Sequence, residues 1–145
     1  MKRIIVSILA IVSFVAMSCG TAETTGGSKS TQAQDQKSAT FTNASVTDLN
    51  GAIEKGEDII ILDVRTPGEF SQGYIENAIL MDINNASFRS KAVELDKFKI
   101  IYVYCRSGHR SQTASKALID MGYPDVINVE GGFIAWTQKN YKSVK

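Results

Sequence analysis

The sequence predicts an α/β fold with a mainly parallel central sheet flanked by helices. Two runs rich in β-branched residues, 59–64 (IIILDV) and 99–104 (KIIYVY), have the composition of strands that are buried on both faces. Segments in which apolar residues recur at helical spacing lie between and after these runs. Strands that alternate with helices in this way indicate a parallel sheet with helical crossovers. The chain of 145 residues is long enough for one such domain with a single core.

The other elements are predicted from signals at their ends. Ser45 has the properties of a helix N-cap, Gly56 has those of a helix stop, and the Thr-Pro-Gly sequence at 66–68 ends the first buried strand. In chain order, the further predictions are a helical turn over 69–72, a strand over 78–81, a helix over 86–95, a helix over 111–121, a strand over 126–129 and, after the Gly-Gly at 131–132, a C-terminal helix over 133–141.

The first residues have the pattern of an export signal. A basic tip at 1–3 is followed by an apolar run over 4–17 and by Ser18-Cys19-Gly20. A bilayer core takes about 20 apolar residues to cross, so this run is too short to span it comfortably. The pattern predicts a signal peptide over residues 1–18. It resembles a bacterial lipoprotein signal, which implies that Cys19 becomes the lipidated first residue of the mature chain. An ordinary cleaved signal peptide is the alternative.

The composition changes twice after the predicted signal. Residues 19–40 are rich in Gly, Ser, Thr and Gln, which predicts a flexible tether, and residues 41–145 have a globular composition. We therefore expect an exported domain on the periplasmic side of a bacterial membrane, held there through its lipid anchor. The net charge of +1 provides no field that would attract a nucleic acid, so no nucleic-acid partner is expected.

Cys105 stands where an α/β sheet binds its ligands. It directly follows a predicted buried strand, and ligands of such sheets lie at the carboxyl ends of the strands. The short loop before the predicted helix contains Gly108, and a tight loop of this kind turns backbone N–H groups inward at the positive end of a helix. Arg106 and Arg110 add positive charge. This environment lowers the pKa of a thiol, so we predict that Cys105 is a nucleophile rather than a buried structural thiol.

The loop length distinguishes between two chemistries. Four residues separate Cys105 from Arg110, whereas five separate the catalytic Cys from the Arg in cysteine phosphatases. The shorter loop forms a smaller anion-binding cradle, which suits a terminal sulfur atom better than a tetrahedral phosphate. A phosphatase or arsenate reductase on the same fold is therefore the disfavoured alternative.

Three segments in order resemble the rhodanese family, specifically its single-domain sulfurtransferases. They are 62–78 (LDVRTPGEFSQGYIENA), 105–111 (CRSGHRS) and 130–136 (EGGFIAW). The resemblance covers residues 41–140 and implies a single rhodanese-like domain. It also implies sulfur transfer through a cysteine persulfide, from an anionic donor such as thiosulfate to cyanide or a thiol, with no metal and no organic cofactor. Tyr74 stands where the family usually has His.

The resulting site assignments divide into three groups. Cys105 is the predicted catalytic residue. The predicted substrate-binding residues are those of the loop: Arg106, Ser107, Gly108, His109 and Arg110. The predicted structural support consists of Asp63, Arg65 and Glu69, and Arg110 pairs with one of these acids in the alternative assignment.

Several alternatives remain open at this stage. His109, the only histidine of the chain, is expected to face solvent, with a role as general base as the alternative. A metal site is not expected, because one His and one spare Cys are too few ligands. Phe133 and Trp136 are expected in the core. A persulfide carrier that delivers sulfur to a protein partner, without turnover of small donors, is the non-enzyme alternative.

Overall fold

The computed structural model describes residues 40–145. The predicted signal peptide, the predicted lipidation of Cys19 and the tether up to residue 39 lie outside these residues. The strands are β1 (Thr42–Ala44), β2 (Ile59–Asp63), β3 (Tyr74–Ile75), β4 (Ile79–Leu80), β5 (Ile100–Tyr104), β6 (Val126–Val129) and β7 (Ser143–Val144). The helices are α1 (Val46–Glu54), α2 (Pro67–Phe70), α3 (Phe88–Ala92), α4 (His109–Asp120) and α5 (Gly132–Gln138).

Five of the strands form a parallel sheet in the order β1-β6-β5-β2-β4. The two predicted buried strands are neighbours at its centre, where Asp63 of β2 is in register with Tyr104 of β5. Cys105 follows β5 at the same edge of the sheet. Strands β3 and β7 form a separate antiparallel pair. The predicted fold class, an α/β domain with a mainly parallel central sheet, is confirmed.

The central strands separate two hydrophobic clusters. Successive side chains of a strand point to opposite faces. Leu62, Ile101 and Val103 accordingly lie in the cluster that also contains residues of α3 and α4. Ile61 and Tyr102 lie in the other cluster, with residues of α1 and α5. This two-sided burial explains why both strands are apolar along nearly their whole length.

Some helix ends lie where the sequence predicted them, and others differ from the prediction. Ser45 caps α1 through a reciprocal pair of hydrogen bonds with Asp48, as predicted from Ser45. The turn predicted over 69–72 instead begins at Pro67, because Thr66 and Glu69 form a second reciprocal cap. Helix α4 begins at His109, two residues before the predicted start. The helix predicted over 86–95 is restricted to Phe88–Ala92.

Three short strands were not predicted from the sequence: β1, β3 and β7 have two or three residues each. Strand β1 pairs with β6 at one edge of the large sheet. Strand β7 pairs with β3, which brings the end of the chain next to the segment after α2. The C-terminal segment is therefore part of the fold rather than a tail.

Candidate active site

The loop that follows Cys105 connects the carboxyl end of β5 directly to α4. Gly108 is the N-cap of α4 and has a φ of 102°, in the left-handed region that glycine adopts most readily. A Cβ atom at this position would lie 3.3 Å from the backbone nitrogen of Gly131. The tight connection therefore depends on glycine at position 108, both for its backbone conformation and for its close neighbour.

The sulfur of Cys105 is enclosed by this loop. The residue is 1% exposed, and the N–H of Gly108 donates to Sγ over 3.1 Å. Burial raises the pKa of the thiol, but hydrogen bonds from Ser111, Ser107 and Gly108 lower it by more, so the net pKa lies below its ordinary value. The Ser111 hydroxyl lies 2.6 Å from Oδ1 of Asn128 and 2.9 Å from the Gly108 carbonyl oxygen. The backbone N–H groups are therefore the donors that remain available to sulfur.

The first turn of α5 holds the other side of the loop. The N–H of Phe133 donates to the carbonyl oxygen of Cys105 over 2.8 Å, and the N–H of Ile134 donates to that of Arg106 over 3.0 Å. The C=O and N–H of a trans peptide point in opposite directions, so fixing these carbonyls outward turns the next N–H groups toward the loop interior. A Cβ atom on Gly132 would overlap the carbonyl oxygen of Cys105 and lie 2.8 Å from the carbonyl carbon of Arg106.

Arg110 forms an ion pair with Glu69. Two nitrogens of its guanidinium bind the two carboxylate oxygens over 2.8 and 2.7 Å, which joins α4 to α2. The hydrogen bonds from Arg110 are the largest cause that lowers the pKa of Glu69 to about 2; burial opposes them, and bonds to Thr66 assist. Hydrogen bonding to Glu69 raises the pKa of Arg110, burial lowers it, and the charges of Glu69 and Cys105 raise it further. Arg110 thus pairs with an acid, Glu69, as in the alternative assignment.

Asp63 and Arg65 form a second ion pair beneath the site. Their side chains are 0% and 3% exposed, and Nη2 of Arg65 lies 2.6 Å from Oδ2 of Asp63. The guanidinium also donates to the Gly73 carbonyl over 2.8 Å and lies 4.2 Å from the ring centroid of Phe133. Burial lowers the pKa of Arg65, but the hydrogen bonds and charge of Asp63 raise it by more, with smaller contributions from Tyr104.

The other loop side chains face outward. Arg106, Ser107 and His109 are exposed, and His109 is the first residue of α4. A cleft of about 450 Å³ adjoins the loop at Arg106 and continues along α5 to Thr137. A second cleft of about 280 Å³ is lined by other residues of the loop, including Ser107 and His109. Trp136 is buried as expected, whereas Phe133 is half-buried and also lines the larger cleft.

A buried polar network behind the loop was not predicted from the sequence. The Ser111 hydroxyl donates to Oδ1 of Asn128, whose amide nitrogen donates to Oδ1 of Asn43 over 2.9 Å. Asn128 is 0% exposed and lies in the otherwise apolar strand β6. An asparagine within an apolar strand is itself a signal, because a buried amide requires hydrogen-bond partners. The network ties the first turn of α4 to the edge of the sheet.

Two further observations concern residues 40–145. No helix in this part of the chain has both the length and the apolar character needed to cross a membrane. The same residues contain no group of three or more His, Cys, Asp and Glu side chains arranged to hold a metal ion.

The fold and the site together define a class of protein: an α/β domain with a cysteine at the carboxyl end of a central strand, in a loop that stabilises negative charge on sulfur. A family model described as a rhodanese-like domain matches residues 45–139. The chain belongs to this rhodanese-like domain family.

Relatives of the chain include sulfurtransferases. It is 39% identical over 90 residues to a protein of Allochromatium vinosum named sulfurtransferase, a match that covers 62% of this chain and 82% of the relative. It is 30% identical over 96 residues to the thiosulfate sulfurtransferase GlpE of Pseudoalteromonas translucida, and this match covers 66% of this chain and 89% of the relative. The crystal structure of a rhodanese-related protein from Thermoplasma volcanium matches with a TM-score of 0.64 and 32% identity, over 72% of this chain and 98% of that one.

Proposed function

We propose that the protein transfers sulfane sulfur from an anionic donor, such as thiosulfate, to a thiol or cyanide acceptor through a persulfide on Cys105. The observation that carries this proposal is the position of Sγ, 3.1 Å from the Gly108 N–H and inside a loop that lowers its pKa. A lowered pKa increases the thiolate fraction near neutral pH, and the thiolate is the attacking species. The relatives named sulfurtransferase support the same reaction class.

The reaction consists of two displacements. In the first, the Cys105 thiolate attacks the outer sulfur of thiosulfate, the S–S bond of the donor breaks, and sulfite leaves with the bonding pair. In the second, the acceptor attacks the outer sulfur of the persulfide, and Cys105 leaves as a thiolate. The inward N–H groups stabilise the negative charge on sulfur before and after each displacement. No external oxidant or reductant is consumed.

The two loop arginines have different roles in this proposal. Arg106 is exposed beside the nucleophile and binds the oxyanion end of the donor, since a guanidinium can bind an oxyanion through two hydrogen bonds. Arg110 is engaged by Glu69 and acts mainly by fixing the loop and by adding positive charge near Cys105. Both charges offset the repulsion between a thiolate and an approaching dianion.

The test of the reaction is Cys105→Ser, measured with thiosulfate as donor and cyanide as acceptor. The variant should fold normally and lose transfer, because removal of a covalent nucleophile costs several orders of magnitude. Intact mass after incubation with thiosulfate should increase by about 32 Da, one sulfur atom, in wild type alone. Residual activity above about 1% would identify another nucleophile. A wild type that gains the sulfur but does not turn over would support a persulfide carrier that supplies a protein partner.

We further propose that the protein is exported and acts on the periplasmic side of a bacterial membrane, anchored by lipid at Cys19. The support is the pattern of residues 1–20 alone. Stable anchoring takes more than one acyl chain, which lipoprotein processing would provide. Cys19→Ala should leave an unprocessed precursor or move the protein to the soluble fraction. Soluble wild-type protein with a mature start other than Cys19 would contradict the proposal.

A further inference from the structure

Asn128 is an unusual residue for its position, because the strand around it is buried. It is 0% exposed and lies in β6 between Ile127 and Val129. Replacement of a buried hydrogen-bonded pair by apolar groups of the same shape can be nearly neutral for stability. Stability alone therefore does not account for an amide at this position, and its contacts with the active-site helix suggest a second role.

The amide of Asn128 is held in one orientation. Its Nδ2 donates to Oδ1 of Asn43 over 2.9 Å, and this bond directs the acceptor oxygen of the amide toward Ser111. In the reversed orientation Nδ2 would face the Ser111 hydroxyl, and an amide nitrogen cannot accept its hydrogen. Asn43 lies on β1, directly opposite Asn128 in the register of the two strands. The pairing of β1 with β6 thus determines which atom of the amide meets α4.

The Ser111 hydroxyl has one hydrogen and more than one acceptor. Its Oγ lies 2.6 Å from Oδ1 of Asn128 and 2.9 Å from the carbonyl oxygen of Gly108. The sulfur of Cys105 is a third acceptor, since a hydrogen bond from this hydroxyl is among those that lower the pKa of the thiol. A hydroxyl has a single hydrogen to donate. The shortest contact, to Asn128, directs that hydrogen away from the sulfur.

We propose that Asn128 is a positioning residue, which holds the Ser111 hydroxyl hydrogen away from Cys105 and leaves the sulfur to the backbone N–H groups. Asn128 bonds to Ser111 and Asn43, so it acts on the sulfur through Ser111. The inference rests on Cys105 as the nucleophile of the function proposed above. Each further donor stabilises a thiolate but weakens it as a nucleophile, because nucleophilicity falls as the pKa of the thiol falls. Asn128 thus keeps the thiolate reactive.

The test is the pH dependence of alkylation by iodoacetamide in the full chain, followed by mass on the peptide that contains Cys105. Asn128→Leu removes the amide oxygen and frees the Ser111 hydroxyl to donate to sulfur. The midpoint of the profile should fall by about one pH unit, the worth of a hydrogen bond to a charged group. The plateau rate at high pH should fall about two- to threefold. A raised midpoint, as expected if the variant only loosened the loop, would overturn the proposal.

Variants at Ser111 separate this role from a purely structural one. Ser111→Ala alone should leave the midpoint nearly unchanged, because the hydroxyl does not donate to sulfur in wild type. The double variant of Ser111→Ala and Asn128→Leu should have the midpoint of Ser111→Ala, because the effect of Asn128 requires the hydroxyl. If Asn128→Leu shifts the midpoint equally with and without the hydroxyl, the effect does not pass through Ser111 and the proposal is wrong.

An exposed residue allows the same test with little risk to folding. Asn43→Ala removes the bond that orients the amide, so the amide can also turn its nitrogen toward Ser111. The midpoint should fall, but by less than in Asn128→Leu. Asn50→Ala is the control, because Asn50 lies on α1 and bonds to Glu54, outside the network. An unchanged or raised midpoint in Asn43→Ala would contradict the proposal.

None of these variants changes a charge near the loop. Both ion pairs of the site keep their residues, as do the other titratable groups nearby, Asp82, Arg106, His109 and Glu130. Alkylation involves no sulfur donor or acceptor, so failure of this inference is distinguishable from failure of the proposed function. If the midpoints behave as expected while Cys105→Ser still transfers sulfur, the persulfide mechanism is wrong and the role of Asn128 stands. If Cys105→Ser is inactive but Asn128→Leu raises the midpoint, the mechanism stands and the role of Asn128 is wrong.

Discussion

Two carboxylate–guanidinium pairs lie near the nucleophile, and they differ mainly in their exposure to water. In the Asp63–Arg65 pair the side chains are 0% and 3% exposed, and the partners are two residues apart in the chain. In the Glu69–Arg110 pair they are 28% and 26% exposed, and the partners belong to different helices. The shortest N–O distances are nearly equal, 2.6 and 2.7 Å. Geometry alone would therefore rank the two pairs as equivalent.

Their surroundings give them different functions. A buried charge that loses its partner cannot be solvated, so breaking the Asp63–Arg65 pair is costly for folding. A partly exposed charge is solvated when its partner is removed, so breaking the Glu69–Arg110 pair costs less. The exposed pair, however, joins α2 to the helix that follows the nucleophile. We expect the buried pair to control stability and the exposed pair to control the geometry and charge of the loop.

Asp63→Asn should give the largest loss of stability. The amide has the same shape, but it leaves the Arg65 guanidinium buried without a counter-charge, which costs about 3–5 kcal/mol. The measurement is the free energy of unfolding in denaturant. Glu69→Gln is the matched change in the other pair and should cost clearly less. Equal losses for the two variants would show that exposure does not distinguish the pairs.

Arg110→Ala should have a smaller effect on stability and a clear effect on the nucleophile. The expected loss is about 1–2 kcal/mol, because Glu69 remains partly solvated. Removal of a positive charge that interacts with Cys105 should also raise the pKa of the thiol. Alkylation of Cys105 by iodoacetamide at neutral pH would then be slower than in wild type. If the variant melts like wild type and only the KM for thiosulfate rises, Arg110 is a substrate ligand instead.

The contribution of Glu69 should depend on pH in a defined direction. Its pKa is lowered from 4.5 to about 2 in the folded protein, so the folded state favours the ionised carboxylate. The stabilisation is fully present above pH 4.5 and is lost as the pH falls toward 2. Wild type should therefore be more stable than Glu69→Gln at pH 7, and the difference in melting temperature should shrink over this window. A difference that is constant from pH 7 to pH 2 would exclude this linkage.

Arg106→Ala should have the smallest effect on stability, within about 0.5 kcal/mol, because the side chain is exposed and belongs to neither pair. Its effect should appear in the KM for thiosulfate, with a binding loss of about 1.5–3 kcal/mol for a charged hydrogen bond. Arg106→Lys should recover part of this loss, since it restores the charge without the two-pronged geometry. A wild-type KM in Arg106→Ala would remove this arginine from the donor site.

The sequence predicted best those features whose causes lie within a few residues. The strands at 59–64 and 99–104 were recognisable because burial on both faces requires a continuous apolar run. The cap at Ser45 and the reactive position of Cys105 were recognisable from their immediate neighbours. The start of α2 at Pro67 also has a local signal, since Thr66-Pro67-Gly68-Glu69 has the spacing of a reciprocal helix cap.

The features that were not predicted depend on residues far apart in the chain. Strand β7 exists because residues 143–144 meet residues 74–75, and two residues carry no strand pattern of their own. An asparagine within an apolar strand indicates that Asn128 needs hydrogen-bond partners. The sequence does not indicate that these partners are Asn43 and Ser111. The start of α4 depends on the positive φ of Gly108, which glycine permits but does not require.

The bonds from α5 to the loop have a consequence for the order in which the protein becomes active. The N–H groups of Phe133 and Ile134, which hold the carbonyls of Cys105 and Arg106, are synthesised after the cysteine and the loop. A nascent chain that ends before residue 131 contains the cysteine and the whole loop but lacks these two donors. In such a chain the two carbonyls are not held in the orientation that turns the next N–H groups toward the loop interior. We therefore expect the loop to adopt its reactive conformation only after α5 has docked against it.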